Sequence, residues 1–268
     1  MLFSLKLKFL SLGGWNLTKS KKLGPPRGLD FYIKWSFGNW AEEITYKVCQ
    51  EVLARELNIQ VYRYGYSAGR IPKNLKEFEE IMREKNELER LGKRPNFLLF
   101  DLDFARAKER ELSQIMRKPD EEIGDLVKEA VLGLEVEQSM WFVKRAKGPL
   151  SFTVKEEDVV RLRSWQERFG VPIVIFQVFL DEVHACPLDE VISGKKPRRD
   201  PETKKLTYFH PISKWTRLAD IEGVNFEAKV EVDERGKLVP FVMLVGGELT
   251  NVNLEGVQRL RARFRRKT

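Results

Sequence analysis

The chain has 268 residues, 42% of them hydrophobic and 33% charged, and its 48 Lys and Arg against 40 Asp and Glu give a formal charge of +8. That is enough for one large domain or a core with an added lobe, and no apolar run approaches the ~20 residues needed to cross a bilayer. Cys49 and Cys186 lie far apart and outside any CxxC spacing, and His184 and His210 stand alone, which argues against a disulfide framework, a zinc cluster and a Cys/His catalytic pair and for structural roles.

The opening MLFSLKLKFLSLGGWNL carries Lys6 and Lys8 inside its apolar part and has no small-residue cleavage site; it reads as a strand rather than a signal peptide, and a cytoplasmic protein is expected. Residues 13–28, rich in Gly, Pro and Lys, read as a loop able to touch phosphate. From an N-cap at Asn39, the spacing of Ile44, Val48, Val52 and Leu53 predicts a helix ending near Asn58. A strand is predicted over 59–67. A charged helix follows over 75–91, with Phe78, Ile81, Met82 and Leu88 inside and Gly92 closing it.

RPNFLLFDLDF over 94–104 reads as a buried central strand, with its Pro at the start. A short helix around 123–132 leads into a second strand over 134–143, LEVEQSMWFV. Residues 150–154 are extended, 155–169 have the spacing of an amphipathic helix capped by Gly170, and 171–181, VPIVIFQVFLD, form the clearest buried strand. After Gly194 a basic stretch, KKPRRDPETKK, precedes shorter strands joined by a turn near Gly236, and the end of the chain is rich in Arg. The predicted class is therefore α/β: a mixed central sheet flanked by helices, with a β-rich C-terminal region. Residues 1–193 are assigned to the core and 194–268 to a region packed on it rather than an independent domain.

The chemistry concentrates in Glu135-Val136-Glu137-Gln138-Ser139. Residues two apart on a strand share a face, so Glu135 and Glu137 can converge on one metal or one reacting phosphate. Their hard oxygens suit Mg2+, which polarises phosphate and lowers the pKa of bound water. The net positive charge also favours a polyanionic partner, since Lys and Arg on phosphates gain from counterion release. Abundant Lys, Glu and Arg with little Met and Cys fit a warm-living source.

Taken with Arg94-Pro95-Asn96 some forty residues earlier, these segments resemble the PD-(D/E)xK nuclease superfamily, and within it the type II restriction endonucleases, over roughly residues 39 to 181. The resemblance implies a restriction-endonuclease-like fold, Mg2+, double-stranded DNA as substrate and a homodimer that cuts both strands of a near-palindromic site. Glu135 matches the acid of the motif. Glu137 stands where the motif has Lys, as in a minority of restriction enzymes, and Ser139 fits the polar residue that follows.

Asn96 departs from the motif's Asp. Three explanations stay open: the metal-binding acid is Asp101 or Asp103, displaced along the strand; Asn96 is natural to a weak or inactive homologue; or the sequence is a variant made cleavage-dead. Glu135, Asn96 and Asp101 are the candidate metal ligands. Lys155 is the candidate for the missing cation, and Glu42, with Glu43 beside it, matches a helix acid that the family brings to its metal. Phosphate contacts are expected from Lys195, Lys196, Arg198, Arg199 and Arg70, with Arg63 a further basic candidate. A junction resolvase or repair nuclease, and a DNA-binding protein with a degenerate nuclease fold, are the competing functions; no RNA-binding signature or basic amphipathic membrane helix is visible.

Overall fold

The structure, a computed structural model, describes residues 29–66, 72, 75–148, 150–201, 203–232 and 236–264. The expectations for the N-terminal strand, for the loop over 13–28 and for Arg70 fall outside them. None of the described helices is long and apolar enough to cross a membrane.

Helix α1 (Leu29–Lys47) runs through a π-helical turn (Val48–Leu53) into α2 (Ala54–Leu57), so the helix begins ten residues before Asn39. The reason is visible in its buried stripe. Tyr32, Phe37, Trp40, Ala41, Ile44 and Val48 are all buried, which continues the helical spacing upstream and leaves Asn39 an exposed mid-helix residue. Asn58, in the left-handed conformation at φ 55°, ends the run. Strand β1 (Ile59–Arg63) and α3 (Leu75–Leu88) follow.

Strand β2 (Phe97–Asp101) is shorter than expected, because the Asp101 carboxylate accepts from the Asp103 backbone N–H at 3.0 Å and caps helix α4 (Leu102–Ala107). Helices α5 (Glu109–Leu112) and α6 (Asp120–Lys128) lead to strand β3 (Leu132–Gln138), β4 (Ser151–Lys155), α7 (Glu156–Phe169) and β5 (Ile173–Val178). The apolar run ends at a tight turn in which Phe179 N–H donates to the Glu182 carbonyl at 2.9 Å. Beyond it come β6 (Glu182–Pro187), α8 (Leu188–Ile192), β7 (Arg198–Arg199) and β8 (Leu206–Pro211). The long hairpin β9 (Thr216–Val232) and β10 (Leu238–Thr250) and helix α9 (Leu254–Arg261) complete the chain.

The fold is a mixed α/β sheet flanked by helices, with seven strands in the order β1-β2-β3-β5-β6-β9-β10. The β3–β5 pair is parallel and every other pairing in this sheet is antiparallel. Strands from both sides of residue 193 share it, since β9 joins through β6. A second sheet, β4-β8-β7, ties the basic stretch to the start of α7. Alternation along β3 sends Leu132 and Leu134 into the core under α1, and sends Glu135 to the opposite face, where α7 packs. Cys49 and Cys186 are both buried free thiols.

One ion pair fixes the loop that leads into β2. Arg94 lies 2.6 Å from Asp120, both side chains fully buried, and the guanidinium also donates to the Lys118 carbonyl at 2.5 Å. Tyr64 donates its hydroxyl to the same carboxylate. Removing one partner of such a pair leaves an uncompensated charge in the core, so Asp120→Ala is expected to lose about 3–5 kcal/mol of stability. Urea unfolding checks this; a loss below about 1 kcal/mol contradicts it.

Candidate active site

Strands β2 and β3 pair only as far as Phe97 and Leu134, and then diverge. Past that point the Val136 N–H has no β2 partner. The Asn96 side chain fills the gap: its Oδ1 accepts from Val136 N–H at 2.8 Å, and its Nδ2 donates to Glu42 Oε1 at 3.0 Å. The amide thus uses both of its polar ends, stitching β3 to a carboxylate carried by α1. Arg63 holds the other oxygen of Glu42 at 3.2 Å and pairs with Glu43 as well.

On the α7 side of β3, Glu135 is buried, and its Oε1 meets Lys93 Nζ at 2.6 Å. Lys93 also reaches Asp158, in the first turn of α7, at 3.2 Å. A glycine makes this possible. Gly92 has φ +134°, and a Cβ there would stand 2.8 Å from the Arg161 carbonyl of α7, so only a residue without a side chain lets the loop run against the helix and drop Lys93 between the two acids. Glu135 Oε2 is buried without a hydrogen-bond partner.

Electrostatics follow from this crowding of acids around one cation. Burial pushes Glu135 above the usual carboxylate range, against the opposing charge of Lys93. Burial also pushes Glu137 up to about 7, with Lys93 opposing and Glu135 and Asp158 adding to the rise. Glu42 is pushed up to about 6, chiefly by burial, with Arg63 opposing. For Lys93, burial alone would lower the pKa, but the Glu135, Glu137 and Asp158 carboxylates outweigh it and hold the ammonium protonated beyond its ordinary value.

A consequence can be measured on the metal-free protein. Both Glu42 and Glu137 sit above their ordinary value of 4.5, so the folded chain binds more protons than the unfolded chain up to about 6 and about 7 respectively. Their contribution to stability is therefore full below about pH 4.5 and is lost as pH rises toward about 7. The urea midpoint in EDTA is expected to fall over this window, and to fall less in Glu137→Gln. An equal fall in both proteins would clear Glu137 of any part in it.

The structure brings Glu135, Glu137, Asn96 and Glu42 to one end of the β2/β3 pair. It does not bring Asp101 there. That residue closes the opposite end of β2 and spends its carboxylate on the α4 cap, so it is not placed to replace Asn96. Lys155 is exposed at the end of β4, where its charge is felt at Glu137; the cation in contact with Glu135 is Lys93. Sequence reasoning missed Lys93 and Asp158. Lys93 does stand directly before Arg94-Pro95-Asn96, and a positive charge at the mouth of a central strand is the signal that points to it.

Of the expected phosphate contacts, Lys196, Arg198 and Arg199 are exposed. Arg198 lies over the Phe209 ring at 5.1 Å, and Arg199 donates to the Lys204 carbonyl at 2.9 Å. The Lys195 ammonium is different: it is buried without a hydrogen-bond partner and its pKa is lowered by burial, so it faces the protein rather than a ligand in solvent. The registers Lys155↔Thr207 and Arg198↔Thr207 place Lys155 and Arg198 on one face of the small sheet. Arg63 is occupied by Glu42 and Glu43.

Among the described residues no three acids, histidines or cysteines stand together as a preformed metal cage. The donors nevertheless fit a hard divalent cation. Glu135 offers a buried oxygen with no partner, which is costly unless something fills it, and Mg2+ takes one or two carboxylates and keeps its remaining positions for water and phosphate.

No curated relative and no solved structure matches the chain. A family model does: that of the AccI restriction endonuclease matches residues 15–149, a span that holds Glu42, Lys93, Asn96, Glu135 and Glu137. Because that match takes in half of the chain, the protein belongs to the AccI restriction endonuclease family.

Proposed function

We propose that the chain is a type II, site-specific endonuclease of the PD-(D/E)xK kind, with Glu137 in the place of the motif's Lys, hydrolysing both strands of duplex DNA with Mg2+. The observation that supports this best is the buried Glu135, with one oxygen on Lys93 and the other without a partner. Glu135 and Glu137 would hold the ion; when bound, it polarises the scissile phosphate and lowers the pKa of its water. Lys93 sets a positive charge against the burial that raises Glu135 and holds one of its oxygens at 2.6 Å, leaving the other for the ion. Glu137, pushed up to about 7, can take or give a proton near neutral pH. Asn96 and Glu42 hold β3 in register beside them.

Duplex DNA would lie along the face of the small sheet that carries Lys155 and Arg198, with Lys196 beside them on its phosphates; Arg199 alternates to the other face. Residues 194–268 belong to the nuclease as a region packed on the core. One site cuts one strand, so a two-fold dimer is the economical way to cut two. The neutral amide at position 96 favours a second reading, a form of this nuclease with weakened cleavage. Plasmid and phage DNA incubated with the protein in Mg2+ test the assignment: discrete fragments are expected, a smear would indicate a non-specific nuclease, and uncut DNA that is still bound would leave the binding-only form.

A further inference from the structure

Beyond Asp220, its last residue paired with β6, strand β9 continues with β10 as a two-stranded ribbon. Its two faces are unlike. Phe241 is buried against Tyr32 of α1 in a stacked pair, so α1 covers its face at that point, while Glu227 and Lys229 on the same face are exposed. Alternation along β9 puts Phe226, Ala228, Val230 and Val232 on the other face, and the register places Leu244, Val242, Pro240 and Leu238 opposite them. That face is apolar from Val232 and Leu238 at its outer end to the buried Leu244 at its base. Its outer part is open, with Phe226 46%, Val230 58%, Val232 49% and Leu238 64% exposed.

We infer that this face is where two copies of the chain join, ribbon against ribbon about a two-fold axis; the inference rests on the dimeric nuclease reading only for its catalytic consequence. Three observations choose a second copy over nucleic acid or a strand-edge contact. From Glu222 to Glu248 the sequence has six acids and three basic residues, a net charge of −3 in a chain of +8, so the ribbon repels a phosphate backbone. Glu227, Lys229 and Glu231 point to the opposite side, where Glu227 and Lys229 pair at 3.1 Å and stay half-exposed, so self-association of the apolar face brings no charge into its centre. Pro240 lacks an N–H and sits on β10, the last strand of the sheet, which blunts pairing along that edge.

The size also fits. From Val224 to Val232 at ~3.3 Å per residue the ribbon is roughly 30 Å long and about 10 Å wide, which is the scale at which an exposed apolar patch marks an interaction site. A standard interface removes about 800 Å² per partner, so an apolar face of roughly 300 Å² supplies its dry centre and the polar residues around it the rim.

Sedimentation equilibrium in EDTA, without DNA, reads this independently of any nuclease activity. The expected mass is twice the 31.4 kDa of one chain, falling to a single chain in the double variant Val230→Glu, Val232→Glu. Should that variant not fold, single cysteines decide: under mild oxidation at least one of A228C, V230C and V232C is expected to form disulfide-linked pairs, and K229C, exposed on the opposite face, is not. A wild-type protein at single-chain mass overturns the inference, as does a charged variant that still pairs or a K229C that cross-links as readily as the others. So does V230C shielded from a thiol reagent in a single chain, which would give the face to the chain's own residues 1–28. A dimer without cleavage would instead count against the nuclease assignment alone.

Discussion

Lys93→Met is expected to slow DNA cleavage at least about 100-fold at neutral pH and to move the acid limb of the pH–rate profile upward. Lys93 Nζ touches Glu135 at 2.6 Å and Asp158 at 3.2 Å, and its side chain is 16% exposed against 3% for Glu135. Without the ammonium, two acids face each other in a place that disfavours charge, and Glu135 relieves the strain by taking a proton. A protonated Glu135 is a poor ligand for a cation, which links the lysine to catalysis through the carboxylate. The same change leaves a buried carboxylate without its partner, a cost of about 3–5 kcal/mol at pH values where Glu135 stays ionised. A lysine that merely props up the loop would lower stability and leave the pH profile of the surviving activity in place; that outcome would remove Lys93 from the site.

Asn96→Asp should act in two directions. In EDTA it is expected to cost about 1–3 kcal/mol, because the Nδ2 that donates to Glu42 at 3.0 Å becomes a second carboxylate oxygen beside an acid. Saturating Mg2+ is expected to recover that loss, since a cation between the two carboxylates replaces the missing donor. Denaturation with and without the ion measures both. The cleavage rate of the same variant separates the two readings of position 96: a gain supports a weakened wild-type chain, and no gain means that the amide belongs to a working site as it stands.

Much of this site was legible in the chain. The two-residue spacing of Glu135 and Glu137 put both on one strand, and Arg94-Pro95-Asn96 marked the start of its neighbour. Asn96 and Glu42 then meet through a hydrogen bond between residues more than fifty positions apart. The cation was harder to find. Lys155 fits a linear pattern, strand end followed by helix start, whereas Lys93 is selected by the path of a loop that Gly92 presses against α7. Sequence spacing does not encode that approach. The run ending in Asp101 is ambiguous for a local reason: an Asp after an apolar strand serves equally as a metal ligand or as a helix cap, and here its carboxylate accepts from the backbone N–H of Asp103.

The fold shows the same division. Alternation and helical stripes found the central strands, and missed the first ten residues of α1 because Asn39 resembles a cap while lying mid-helix. The hairpin after Gly194 was read as short strands. Its length comes from pairing, since β9 joins β6 at one end and carries β10 along its whole span.

The role of Glu135 is measured most directly by comparing the wild-type protein with Glu135→Gln on the same duplex DNA, with binding measured in Ca2+ and single-turnover cleavage in Mg2+. The amide keeps the shape of the side chain and removes the charge that Lys93 and the ion both use. The prediction is DNA affinity within a few-fold of wild type and cleavage slower by at least about 1,000-fold. Cleavage by Glu135→Gln at the wild-type rate would contradict it and move the active site elsewhere in the chain.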